Sequence, residues 1–257
     1  MGIYTTEITS DKIKSDNPVH QRLLKAYYAA IPYIKGELLE IGCGEGRGVE
    51  QLAPKAKSYV ALDKIKEVVD KLSELYPQHR FIQTNIPPIK DLDDNQFDTI
   101  VTFQVIEHIK NDKLFLEEIK RLLKPGGRAL ITTPNIKKSL SRNPWHIREY
   151  TAEQLEKLCQ SIFKKVDMKG IDGDDKVMEY YKMNKASVQK IMRWDILNLQ
   201  YRLPASILRI PYEILNRMNR NKLNDDNDSL VARITHEDYI VSENADESLD
   251  LFVIVEK

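Results

Sequence analysis

Apolar residues recur along this chain in two alternating periods. From Asn17 to Ile34 they fall at helical spacing and stop before Lys35-Gly36, which predicts a first helix and its end. Strand-like and helix-like runs then alternate. Leu38–Ile41 reads as a short apolar strand, followed by glycines and a helix through Leu52. Ser58–Leu62 reads as a second strand, and Ile65–Leu75 as a helix with apolar residues at 65, 68, 69, 72 and 75. Arg80–Ile82, Phe97–Phe103 and Ala129–Thr133 supply three further strands, and a helix from Asp112 to Leu123 closes at Pro125-Gly126-Gly127. The rhythm predicts an α/β fold, a doubly wound, mostly parallel sheet covered on both faces.

Past Pro134 the rhythm breaks. Glu153–Cys159 reads as a helix, Phe163–Ile171 as a strand, and the next convincing strand is Leu249–Val255. Residues 1–171 plus 249–257 are therefore expected to form the core, with 1–35 an N-terminal helical segment and 172–248 a mostly helical insertion. Long insertions in compact domains commonly act as lids or binding elements. Val188, Ile191, Met192, Ile196 and Leu199 form one apolar stripe, and Leu208, Tyr212, Leu215 and Met218 a second. Residues 187–222 hold seven Lys/Arg and two Asp/Glu, net +5; residues 224–250 hold nine Asp/Glu and one Arg, net −8. The acidic stretch is expected to pair with the basic helices. The basic stripe is read as a lid, a homodimer contact or a face for a membrane surface. Tyr180, Tyr181 and Trp194 are expected to line the space beneath it.

Composition narrows the function. Lys+Arg and Asp+Glu are both 39, so no whole-molecule positive field favours nucleic acid, which is not the expected partner. Cys43 and Cys159 offer neither a disulfide framework nor metal-ligand spacing, and suit a reducing compartment. Met1 to Asp16 is polar and unlike a signal peptide, and no apolar run approaches the 18 or so residues of a membrane span. A soluble, cytoplasmic protein is expected.

The chemistry concentrates where strands end. After the first strand comes Glu40-Ile41-Gly42-Cys43-Gly44-Glu45-Gly46. Glycines there let backbone approach a ligand closely. The dinucleotide spacing is absent, since Arg47 stands at its last glycine, and Gly-Lys-Ser/Thr of a phosphate loop is missing. Glu40 within the strand is costly to bury alone. A cationic ligand group, such as the amino group of a methionine moiety, would satisfy it; a tight turn with no ligand is the plainer alternative. Asp63, ending the second strand about 20 positions on, can accept both hydrogens of a ribose diol or cap the next helix.

These segments, with Ala61-Leu62-Asp63, Phe97–Val101, Val105-Ile106-Glu107-His108-Ile109 and Leu122–Gly127, resemble the class I S-adenosylmethionine-dependent methyltransferases of the small-molecule and ubiquinone-pathway type. The resemblance covers roughly residues 36–171 plus the final strand. It implies a Rossmann-like, seven-stranded sheet with an antiparallel last strand, and S-adenosyl-L-methionine as cofactor. It also implies that Gly42 and Gly44, with Glu40 and Cys43, surround the methionine part. Asp63 then takes the ribose, Asn85 meets the adenine and Gln104 sits beside the sulfonium, with Lys64 and Ile86 also binding the cofactor. Asn85 departs from the Asp of many relatives, and its amide oxygen still accepts a hydrogen bond.

Methyl transfer from a sulfonium needs alignment and exclusion of water, plus a base when the acceptor is a hydroxyl. His108 and His146 are the candidate catalytic histidines, His108 alternatively shaping the pocket. His146 lies in Trp145-His146-Ile147-Arg148-Glu149-Tyr150-Thr151, whose Thr151 with Gln154 reads as a capping box. That segment is similar to one in metal-dependent 2′-O-methyltransferases of small-RNA ends. Glu107, His108 and His146 could match that family's ligands, but Gln104 replaces its first Glu, a poorer ligand for a hard cation. No metal is therefore expected. The leading expectation is O-methylation of a small molecule, natural product or glycan. The alternatives are a metal-assisted RNA 2′-O-methyltransferase and a non-catalytic cofactor-binding scaffold.

Overall fold

A computed structural model describes residues 13–195 and 197–257. The polar segment before residue 13 and Ile196 of the first apolar stripe lie outside the described residues. The first helical period builds α1 (Asn17–Ala30), with Pro18 in its opening turn, where a missing N–H breaks no helical bond. There follow β1 (Glu37–Ile41), α2 (Arg47–Gln51), β2 (Ser58–Asp63), α3 (Lys66–Leu75), β3 (Arg80–Gln83) and β4 (Phe97–Phe103). Next come α4 (Asp112–Leu122), β5 (Leu123–Pro134), α5 (Ala152–Gln160) and β6 (Lys165–Gly173). The Asn111 side chain caps α4 and the expected Thr151–Gln154 capping box starts α5. Helices α6 (Asp175–Met192), α7 (Leu199–Arg202), α8 (Ala205–Asp226) and α9 (Asp228–Arg233) precede β7 (Tyr239–Ser242) and β8 (Asp250–Glu256).

The strands form one sheet in the order β3-β2-β1-β4-β5-β8-β6-β7. The first five pair in parallel, β8 runs antiparallel to β5, and β6 antiparallel to β8, so β6 regains the parallel direction. The mostly parallel sheet with its antiparallel last strand is as expected, but among the described residues the strands number eight rather than seven. The addition is β7, inside the insertion, paired to β6 from Gly170↔Ser242 to Gly173↔Tyr239. It is a four-residue edge strand in acidic surroundings, too short for its alternation to register.

Two apolar layers cover the sheet. Leu39, Ile41 and Ile100 face Phe115, Leu116 and Ile119 of α4 and Leu155 of α5. Leu38, Val101, Leu130 and Ile254 face the opposite layer, where Ala26, Tyr27 and Ala30 of α1 join Val177, Tyr180, Leu223, Leu230 and Val231 of the insertion. The insertion thus completes one layer. Because β6 runs parallel, it delivers the chain to the carboxyl ends of the parallel strands, where open α/β sheets bind ligands.

Charge pairing departs from expectation. Asp238, Glu243, Asp246 and Glu247 pair with Lys176, Lys169, Lys137 and Lys138, and Asp250 with Arg22, none of them in the basic segment 187–222. Arg217 and Arg220 of α8 instead reach Asp16, whose Oδ1 accepts from them at 2.8 and 2.9 Å. Asp16 is completely buried, so this pairing locks α8 to the segment before α1. Asp16→Ala would leave two guanidinium groups without their anion and should lower stability by about 3 kcal/mol in urea denaturation. An unchanged midpoint would show that α8 is held by other contacts.

Candidate active site

The glycine loop is shaped by what stands behind it. Gly42 has φ +83°, and a Cβ there would run into Val105. Gly42 and Cys43 both donate backbone hydrogen bonds to the Leu62 carbonyl, at 2.8 and 3.1 Å, which folds the loop over the end of β2. Glu40 is buried at 1% exposure and accepts from the Tyr27 hydroxyl at 2.7 Å and from the Tyr59 hydroxyl. It sits against Gly48, where a Cβ would overlap the carboxylate. Two phenols meet Glu40, and neither Glu40 nor Cys43 lines the cavity beyond the loop. Asp63 does not cap α3, whose N-cap is Ile65, but holds the turn between β2 and that helix. Its carboxylate accepts from the Gly44 and Ile65 N–H groups at 2.9 Å each, tying glycine loop to the next turn, and it faces the cavity.

That cavity measures about 500 Å³, within the range of small-molecule sites. Gly42, Gly44, Asp63, Lys64, Asn85, Ile86 and Gln104 line it together with His108 and His146. Nine of the eleven predicted site residues therefore meet in one space. Tyr180 and Tyr181 also line it, as expected, whereas Trp194 is 87% exposed and elsewhere, because the chain has turned outward after α6.

Gln104 follows β4 with φ +56°, a left-handed conformation rare outside glycine. Its N–H donates to the Thr132 carbonyl at 2.9 Å, which holds the strained residue against the cavity. Such strain concentrates at functional positions.

The histidine loop is pinned from below. The Glu107 carbonyl accepts from Ile147 and Arg148 N–H at 2.8 and 3.2 Å, and Asp112 accepts from Arg148 and from the Tyr150 hydroxyl. His108 Nδ1–H donates to the Trp145 carbonyl at 3.0 Å, which leaves its lone pair on Nε2. Asn143 Oδ1 accepts from Trp145 N–H at 3.0 Å, so its amide N–H points at His146 Nε2, 2.8 Å away. His146 Nδ1–H then donates to Glu149 Oε1 at 2.6 Å. Both imidazoles carry the proton on Nδ1. Burial, helped by the neighbouring His146, pulls the His108 pKa down to about 4, so His108 is neutral at pH 7. Burial pushes Glu107 up to about 7 against the pull of His146. Glu107, His108 and His146 offer ligand atoms within 4.8 Å of one another. Sequence reasoning missed Glu149 as the partner of His146; its three-residue separation in an acidic–aromatic loop was the available signal. It also missed Arg22 and Asn184, which line the cavity from α1 and α6.

Residues 39–131 match a family model described as a methyltransferase domain. The chain is similar to class I S-adenosylmethionine-dependent methyltransferases. A "Probable S-adenosylmethionine-dependent methyltransferase" of Mycolicibacterium smegmatis is 36% identical over 141 residues, covering 52% of this chain and 54% of that protein. A ubiquinone biosynthesis O-methyltransferase of Rickettsia typhi is 29% identical over 117 residues, 44% of this chain and 46% of that protein. The chain spans about half the length of the curated relatives it matches. An Archaeoglobus fulgidus SAM-dependent methyltransferase structure has TM-score 0.56 at 17% identity, covering 92% of this chain and 94% of that one. The [4+2]-cyclase SpnF has TM-score 0.52 at 16% identity, over 92% of this chain and 81% of that one. These two likenesses concern the fold. S-adenosyl-L-methionine is the cofactor of the methyltransferase domain.

Two measurements probe this half of the site. Asp63→Ala should weaken S-adenosylhomocysteine binding by about 1.5–3 kcal/mol in calorimetry, with NAD failing to compete; equal affinity would remove Asp63 from the ribose site. Burial raises Glu40 to about 7 despite the two phenols. A carboxyl with a raised folded pKa adds stability in full below its unfolded value, near 4.5, and loses it as pH rises to about 7. Glu40→Gln should therefore flatten the fall in stability across that window, read by urea denaturation at several pH values. An unaltered slope would contradict the assignment.

Proposed function

We propose that this chain transfers the methyl group of S-adenosylmethionine to an oxygen of a small-molecule acceptor, a natural product, quinone precursor or glycan hydroxyl. The observation that carries this reading is the single cavity running from the glycine loop, past Gln104, to two imidazoles with acceptor Nε2 atoms. The ubiquinone biosynthesis O-methyltransferase among the relatives supports oxygen as the acceptor atom.

The bound cofactor supplies an already activated methyl on a sulfonium. In the proposed arrangement Gly42 and Gly44 admit its methionine part, Asp63 with Lys64 takes the ribose, and Asn85 with Ile86 meets the adenine. Gln104 positions the sulfonium end. His146 is the candidate base: Glu149 holds Nδ1–H and stabilises the imidazolium that forms when Nε2 takes the acceptor proton. The acceptor hydroxyl would replace the Asn143 amide at Nε2. His108, neutral and fixed by Trp145, shapes the wall beside it. Tyr180, Tyr181 and Tyr212 from the insertion exclude water and contact the acceptor's body.

A second reading rests on the Glu107–His108–His146 cluster, whose donor set suits a divalent ion in a metal-assisted transfer to an RNA 2′-hydroxyl. Gln104 weighs against it, because a neutral amide stands where a hard cation prefers a carboxylate. His146→Ala should lower kcat by about 10²–10⁴ while leaving S-adenosylhomocysteine affinity unchanged. Activity should also survive exhaustive chelation. Loss on chelation with recovery on adding magnesium or manganese would favour the metal-assisted reading, and full activity of His146→Ala would remove His146 as the base.

A further inference from the structure

Helix α8 is amphipathic the wrong way round for a helix that only covers a core. Its inward face is polar: Tyr212, Asn216 and Arg220, four residues apart, line the cavity, and Asn219 is buried against Asn184. Glu213 accepts from the Trp145 indole N–H at 2.8 Å, and Arg217 and Arg220 reach Asp16. Its outward face carries Ile207, Ile210, Ile214 and Met218, at 58%, 72%, 54% and 62% exposure. These stand at i, i+3, i+7 and i+11, one continuous stripe. Trp194 and Tyr201 of the preceding segment are also exposed. Soluble surfaces seldom leave so much apolar area in one place without an occupant.

The charges around the stripe point to what the occupant is. Lys182, Lys185, Lys190, Arg193, Arg202 and Lys222 are exposed along the same stretch, while Arg209 stacks over the Trp145 ring at 4.1 Å. The two acids between residues 182 and 222 are both turned to internal work. Asp195 accepts from the Leu199 and Gln200 N–H groups, and Glu213 holds Trp145. The stretch 182–222 is therefore apolar and cationic at its surface with no exposed carboxylate, the next being Asp225 and Asp226 at the end of α8. A second copy of the same face would bring cations against cations. An anionic lipid surface complements both features: apolar side chains enter the headgroup boundary while Lys and Arg meet the lipid charges. No helix of the described residues is long and apolar enough to cross a membrane, so the contact would lie along the surface.

We infer that the outward face of α7 and α8, with Trp194, is a docking surface for an anionic lipid bilayer. Docking this way sets the roof of the cavity against the membrane while the sheet and glycine loop stay in water. The inference concerns where the protein sits and is independent of which acceptor it methylates.

The test is flotation of the full chain with vesicles, either phosphatidylcholine alone or phosphatidylcholine with phosphatidylglycerol. Binding to the mixed vesicles should exceed binding to the neutral ones at least tenfold and fall steeply as salt rises. Ile210→Glu with Ile214→Glu, and separately Arg193→Glu with Arg202→Glu, should each reduce that binding at least tenfold. Both variants should keep the wild-type circular dichroism and S-adenosylhomocysteine affinity, since these side chains face away from the cavity. Wild-type protein that stays in the unbound fraction, or variants that bind vesicles like the wild type, would overturn the proposal. So would a wild-type dimer in solution that Ile210→Glu with Ile214→Glu converts to monomer, because the stripe would then be an interface between copies.

Discussion

A buried carboxylate organises the cofactor end of this molecule. Glu40 lies inside β1 and binds the phenols of Tyr27 on α1 and Tyr59 on β2, with Gly48 of α2 closing over it. Four elements thus share one polar centre in an otherwise apolar layer. An isolated carboxylate there would be prohibitive, and the two hydroxyls make it tolerable. The same centre fixes how α2 leaves β1, hence the course of Gly42 to Gly46 and the place of Asp63 opposite. The loop is shaped by the protein before any ligand arrives.

At the other end the logic is different. There the backbone of one loop holds the other, through the Glu107 carbonyl and the Trp145 carbonyl, so the two imidazoles share a proton arrangement. The insertion supplies the roof. It could not do so from the opposite end of the sheet, and the return of β6 to the parallel direction puts it where it is needed.

The strands and glycine loop were legible because a parallel sheet buried on both faces demands continuous apolar runs, and a close backbone approach demands glycine. The cavity-lining residues from Gly42 to His108 could be placed because they sit at or just past strand ends whose positions those runs define. Other features depend on distant partners that no local period reveals. Tyr27 and Tyr59 lie 13 and 19 residues from Glu40, and Asp16 lies 201 residues from Arg217. The stripe expected in α8, Leu208, Tyr212, Leu215 and Met218, is not the one the structure exposes: Tyr212 lines the cavity, while Ile207, Ile210 and Ile214 join Met218 on the outward face. Trp194 was assigned inward, and the structure turns it out. The edge strand β7 was hidden by its brevity.

The central claim is that one cavity holds the cofactor at the glycine loop and the acceptor beneath the insertion. A crystal structure with S-adenosylhomocysteine bound tests it most directly. The account predicts the ribose hydroxyls on Asp63, the adenine beside Asn85, and the sulfur open past Gln104 towards His146 under α6 and α8. A product molecule seated elsewhere, or a sulfur facing a closed wall with the histidines beyond reach, would contradict it.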